Sequence, residues 1–264
     1  MSSDRPAAGR SASARQQVRA GRSRQRGDDG SSRRLLAIET ATSWLGLAAF
    51  EGDALRAEVS RDVSGKHAER LLPEIDALMA SLGWAPDALD GMVVSIGPGS
   101  FTGLRVGLAT AKGIAFEGEP PVAAVSTLAA LAASTGSSRG PVASLLDARR
   151  GEVYAGVWSR AGIATADLVP ESVFGPDALA AELPAGCEIV VGEGATGVAE
   201  QLLAGRPDLV GSPAPTRVSA VALGRMGAAA LAAGEGISAD ALVPRYLRRA
   251  EAEVKRTGEA LEPS

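Results

Sequence analysis

The chain has 264 residues, 45% of them hydrophobic but only 3% aromatic, so its core must be assembled from Ala, Leu and Val. That length suffices for one large domain or two smaller ones. One cysteine, Cys187, excludes an internal disulfide framework and a cysteine-based metal site, and one histidine, His67, excludes a metal held by two imidazoles. The net charge of −4 is uneven: residues 1–34 hold nine Arg and three Asp, or +6, leaving −10 on the remainder, which is unsuited to gripping nucleic acid alone.

The arm at residues 1–34 has almost no large apolar side chains and reads as disordered, either an inert extension or an arm that attracts RNA. It lacks the apolar face of an amphipathic transit peptide, and no charged start followed by an apolar run suggests a secretory signal. No run of about 18 apolar residues predicts a membrane span.

Order is expected from Leu35. LLAIETA, WLGLAAF and ALRAEVS read as three strands. HAERLLPEIDALMASLG carries Leu71, Leu72, Ile75, Leu78, Met79 and Leu82 at helical spacing, with Gly83 as its stop and Pro73 as an expected kink or break. GMVVSIG is a strand, followed by the glycine-rich GPGSFTG and an apolar helix to Phe116, then the strand PPVAAVS and the helix TLAALAAS. VASLLDA and EVYAGVW form a predicted hairpin, CEIVVGEG a strand, GVAEQLLAG a helix and residues 218–234 a long apolar helix, before PRYLR and a polar tail.

The glycine loop fits no phosphate motif. A Walker loop needs Lys after its last glycine, where Leu104 stands; the spacing of Gly97, Gly99 and Gly103 misses the dinucleotide fingerprint; and Ser100 lacks the flanking glycines of a nucleophile elbow. Ser100 or Thr102 can still cap the following helix, whose free amides could otherwise meet an anion. That helix carries a smooth stripe of Gly103, Gly107 and Ala111, flanked by Leu104 and Leu108, with Val106, Ala109, Gly113 and Phe116 opposite. A helix apolar on both sides needs two covered faces; either both neighbours lie in this chain or one belongs to another subunit. His67, in a polar stretch at a helix start, reads as solvated or capping.

LLAIETATSWLGLAAF and SLLDARRGEVYAGVW both run strand, acid, short turn, strand, which places Glu39 and Asp147 in equivalent positions. Such a repeat describes two related α/β lobes, the plan of the actin-like ATPases and sugar kinases. In an active phosphotransferase of that plan the two acids would hold magnesium or orient water; otherwise they cap their own turns.

LLAIETAT, GMVVSIGPGSFTGLRVGLATAKGIAF, VSTLAALA, LLDARRGEVYAGVW and PRYLR together resemble the TsaB family, once called YeaZ, over about residues 35–250. The resemblance implies an α/β fold of two actin-like (RNase H-like) lobes, each a mixed sheet with helices, at 35–125 and 126–250, between the basic arm 1–34 and a polar tail 251–264. It implies a cytoplasmic, non-catalytic subunit with no catalytic residue, metal or cofactor of its own. Its partners would be a TsaD-like catalytic subunit, a TsaE-like ATPase and, through the complex, a tRNA threonylcarbamoylated on N6 of adenosine 37. TsaD shares the fold but carries a metal-binding histidine pair. Carried onto this chain, pairing would use Leu71, Ile75 and Met79 of one helix and Gly103, Leu104, Gly107, Leu108 and Ala111 of the next, so Gly107→Glu should abolish pairing in a folded chain. Glu39, Thr40, Gly97, Gly99, Ser100, Asp147 and Arg149 would be vestiges of phosphate loops, with Glu39 where the family's Asp is usual. Whether the chain alone forms a homodimer stays open, and the alternative is an active actin-like phosphotransferase.

Overall fold

The computed structural model describes residues 33–135, 140–160, 162 and 164–248. The expected polar tail at 251–264, and all of the basic arm except Arg33 and Arg34, lie outside the described residues.

Among the described residues ten strands form two five-stranded sheets. The first holds β1 (Arg34–Glu39), β2 (Trp44–Glu51), β3 (Ala54–Asp62), β4 (Gly91–Ser95) and β5 (Val122–Val125) in the order β3-β2-β1-β4-β5. The second holds β6 (Val142–Arg149), β7 (Glu152–Trp158), β8 (Val169–Phe174), β9 (Glu188–Val191) and β10 (Val210–Gly211) in the order β8-β7-β6-β9-β10. In each sheet the first three strands form an antiparallel meander, the fourth pairs in parallel with the meander's first strand and the fifth in parallel with the fourth. The repeat suggested by the two hairpin sequences is therefore a repeat of topology. β8, β10 and the helix at Pro176–Glu182 have short, mixed sequences whose periodicity is too weak to announce them.

Burial explains the strands. β1 and β4 are buried almost throughout, as parallel strands covered on both faces should be, and they are continuous apolar runs. β3, at the sheet edge, is mostly exposed and carries Arg56, Glu58, Arg61 and Asp62, charges that discourage edge-to-edge pairing.

Helices α1 (His67–Leu82) and α2 (Phe101–Gly118) cover one face of the first sheet. Leu71, Ile75, Leu78 and Met79 of α1 meet Leu108, Ala111 and Ala115 of α2 in one cluster with Ile38, Leu47 and Val94. α3 (Thr127–Ala133) and α6 (Ala220–Ala232) fill the space between the sheets; α6 comes from the half of the chain expected to build the second lobe but lies on the first sheet. α4 (Pro176–Glu182) and α5 (Thr196–Gly205) cover the second sheet's outer face.

α1 does not break at Pro73; it runs unbroken to Gly83, which ends it at φ 66°. The carbonyl that loses its donor belongs to Glu69, an exposed residue, so water can replace the missing bond. Ser100, Ser126 and Ser219 cap α2, α3 and α6 through their hydroxyls. His67 is neither solvated nor a cap: it is buried at the start of α1, with Nε2 3.3 Å from the Trp44 carbonyl oxygen.

Candidate functional site

Parallel strands of an open α/β sheet aim their carboxyl ends at a crevice, the usual place for a ligand. Here β1 ends at Glu39, β4 at Ser95 and β5 at Val125, and the β6–β7 turn lies at the corresponding edge of the second sheet.

The two acids behave alike. Glu39 Oε1 accepts from the Ala41 amide at 2.6 Å and Asp147 Oδ1 from the Arg149 amide at 2.8 Å, each carboxylate capping the turn two residues on. Glu39 is fully buried, and burial pushes its carboxyl up to about 7, against smaller lowering by the nearby Ser95 hydroxyl and the Ala41 amide. Although Ser95 lies close enough to act on the charge, Glu39 Oε2 and Ser95 Oγ make no hydrogen bond of good geometry, and Thr40 Oγ1 is likewise without one. Asp147 is half-buried and pairs with the mostly exposed Arg149 guanidinium at 3.3 Å. Arg149 and Arg150 take left-handed backbone at φ 70° and 59° in that turn.

The glycine loop is occupied by its own chain. The Ser100 amide donates to the Ala41 carbonyl at 2.7 Å, and the Ser100 hydroxyl accepts from Gly103 N at 3.2 Å. Gly103 and Gly107 face Thr40: a Cβ on the first would collide with the Thr40 carbonyl oxygen, and on the second with its hydroxyl. Gly99 is pressed against Ala41. Gly97, at φ 116°, lies under the Arg245 carbonyl, which would be 2.6 Å from an added Cβ. The smooth stripe on α2 thus receives the β1–β2 turn of the same chain. On the far side of that turn, the Ser43 amide donates to Glu193 Oε2 of the second lobe at 2.6 Å.

The residues expected to form the pairing surface do not lie at the surface. Leu71, Ile75 and Met79 on α1, and Gly103, Leu104, Gly107, Leu108 and Ala111 on α2, are all buried inside the chain. Gly107→Glu would damage the fold before it could report on a partner. The exposed residues of the same helices lie on the opposite faces. On α2 they are Thr102, Arg105, Ala109, Gly113, Phe116 and Gly118; half-buried Val106 joins Thr102, Ala109, Gly113 and Phe116 in a row of four-three spacing with Arg105 beside it, and Phe116 is 82% exposed. On α1 Leu72, 51% exposed, Pro73, Ala77 and Ala80 are open. Sequence periodicity named both sides of α2 but could not tell which one the sheet would take.

Over 224 residues the chain is 33% identical to the tRNA threonylcarbamoyladenosine biosynthesis protein TsaB of Bacillus subtilis (strain 168), an overlap of 84% of this chain and 96% of that protein. The chain belongs to the TsaB family. The protein of the same description in Escherichia coli (strain K12) is 34% identical over 123 residues, which is 46% of this chain and 53% of that one. The solved structure of YeaZ from Pseudomonas aeruginosa superposes with a TM-score of 0.67 at 30% identity, covering 81% of this chain and 100% of that one. A family model described as TsaD: tRNA N6-adenosine threonylcarbamoyltransferase matches residues 59–193. Among the described residues no helix is long and apolar enough to cross a membrane.

Proposed function

We propose that this TsaB-family chain is a non-catalytic subunit in tRNA threonylcarbamoyladenosine synthesis. It pairs with a TsaD-like catalytic subunit through the outer faces of α1 and α2. With a TsaE-like ATPase the pair acts on N6 of adenosine 37 of tRNA in the cytoplasm. The observation that carries the pairing is Phe116, an 82%-exposed aromatic ending the row of Thr102, Val106, Ala109 and Gly113. Small and apolar residues alternating at spacings of four and three suit close packing against another helix. Support for a non-catalytic role comes from Glu39, a buried carboxyl that caps its own turn, and from the chain's lone histidine, which cannot supply the pair of TsaD.

The test is co-purification of this chain with the TsaD-like protein of the same cell, then a threonylcarbamoylation assay on tRNA with and without it. Activity requiring both proteins, with no ATP turnover by this chain alone, is the expected result. Equal activity without this chain, and no association, would overturn the proposal.

A further inference from the structure

The segment 244–248, PRYLR, has no regular secondary structure, yet it bonds to elements of both lobes. Toward the first lobe, the Arg245 amide donates to the Ile96 carbonyl at 2.7 Å and its own carbonyl covers Gly97. Tyr246 stacks on Phe101 with ring centroids 5.3 Å apart, and its hydroxyl accepts from Arg105 Nε at 3.2 Å. The Arg105 guanidinium in turn lies 3.8 Å from the Phe101 ring centre, so the first turn of α2 is gripped from one side. Toward the second lobe, the Arg245 guanidinium donates at 2.7 Å to Glu171 of β8, a buried carboxyl. Arg248 donates at 2.6 Å to the Ala148 carbonyl of β6 and also to Glu152 of β7. Between these anchors Leu247 packs on the core cluster that both sheets share.

We propose that residues 244–248 are a strap that couples the β6–β7 turn of the second lobe to the N-terminus of α2, so that the two ends of the crevice order or loosen together. The physical basis is division of labour along five residues. Arg248 bonds to Ala148 and Glu152, the strand ends that flank the β6–β7 turn, and Tyr246 to Phe101 and Arg105 of α2, while Arg245 holds both lobes at once through its backbone and its guanidinium. Charge-assisted bonds are stronger than neutral ones, and the strap makes them at Arg245 and at Arg248, so a disturbance at either end passes along a firmly held five-residue segment. The inference borrows from the proposed function only in that α2 carries the partner-facing row.

Amide hydrogen exchange on the full chain tests it through cross-effects. Tyr246→Ala, whose lost contacts are on α2, should speed exchange in residues 147–153 as well as in 101–106. Arg248→Ala, whose lost contacts are in the turn, should speed exchange in 101–106 as well as in 147–153. An increase of about tenfold at the distant end is expected, given the strength of the charged bonds at stake. Tyr246→Phe, which keeps the stack, should show a smaller distant effect than Tyr246→Ala. Unchanged far-ultraviolet circular dichroism establishes that each variant is folded. Exchange that rises only beside the altered residue, or not at all, would overturn the coupling. Because no partner protein takes part, failure here is separable from failure of the pairing proposal.

Discussion

The carbonyl oxygen of Thr40 occupies the space that a side chain on Gly103 would need. The β1–β2 turn therefore packs directly on the first two turns of α2, and Gly103 and Gly107 leave the space that this chain's own turn fills. Gly103→Ala should destabilise the protein by about 1–3 kcal/mol, because the obstructing atom is backbone and cannot rotate away. Thermal or urea unfolding checks the value. Unfolding midpoints equal to those of the parent would show that the turn moves freely.

Gly113 gives the opposite expectation. It is exposed, and an added Cβ would meet nothing within 4 Å. Gly113→Ala should stabilise the isolated chain by about 0.5–1 kcal/mol by lowering the entropy lost on helix formation. If Gly113 lies in the pairing surface, the same variant should bind the TsaD-like subunit more weakly although it is more stable. Urea unfolding and isothermal titration calorimetry on one preparation read the two effects separately.

Phe116→Asp should leave unfolding within about 0.5 kcal/mol of the parent, since an 82%-exposed side chain contributes little to the core. Pairing should be lost, because a charge would face the partner helix without compensation. Size-exclusion chromatography of the mixed proteins separates the outcomes; intact pairing would move the interface elsewhere.

Glu39 makes stability depend on pH in a defined direction. Its carboxyl is raised in the folded state from the usual 4.5 to about 7. Below 4.5 the group is protonated in both states and costs nothing. Between 4.5 and about 7 the unfolded chain ionises first, so stability falls as pH rises; above 7 the full penalty remains, on the order of 3 kcal/mol. Glu39→Gln should remove this slope and be the more stable protein at pH 8. Denaturation at pH 5, 6, 7 and 8 checks the sign.

Cys187 is fully buried, and burial pushes its thiol up to about 12. A thiol reagent at pH 8 should therefore label the folded chain no faster than it unfolds, and label it rapidly in urea. Fast labelling of the folded chain would mean that this part of the second lobe opens locally.

Much of the architecture was legible because the physical signals are local. β1, β2 and β4 are apolar runs bounded by turn residues, α1 ends at a glycine, and Ser100 stands at the start of α2. The matching hairpins announced the repeat, and the carboxylates of Glu39 and Asp147 each reach the amide two residues on, a local contact that depends on nothing distant in the chain. Pro73 misled because its effect depends on whether the freed carbonyl meets water, which helical periodicity does not state.

The sequence alone determined that α2 had two apolar sides, that no imidazole pair was present and that the glycine loop matched no phosphate motif. Only the tertiary structure decided which side of α2 the chain keeps for itself. That choice rests on contacts between residues far apart in sequence: Thr40 against Gly107, Ser43 on Glu193, and Arg245 over Gly97 and on Glu171. None of these pairs leaves a periodic trace, because each is made by the crossing of two segments and not by the regularity of either.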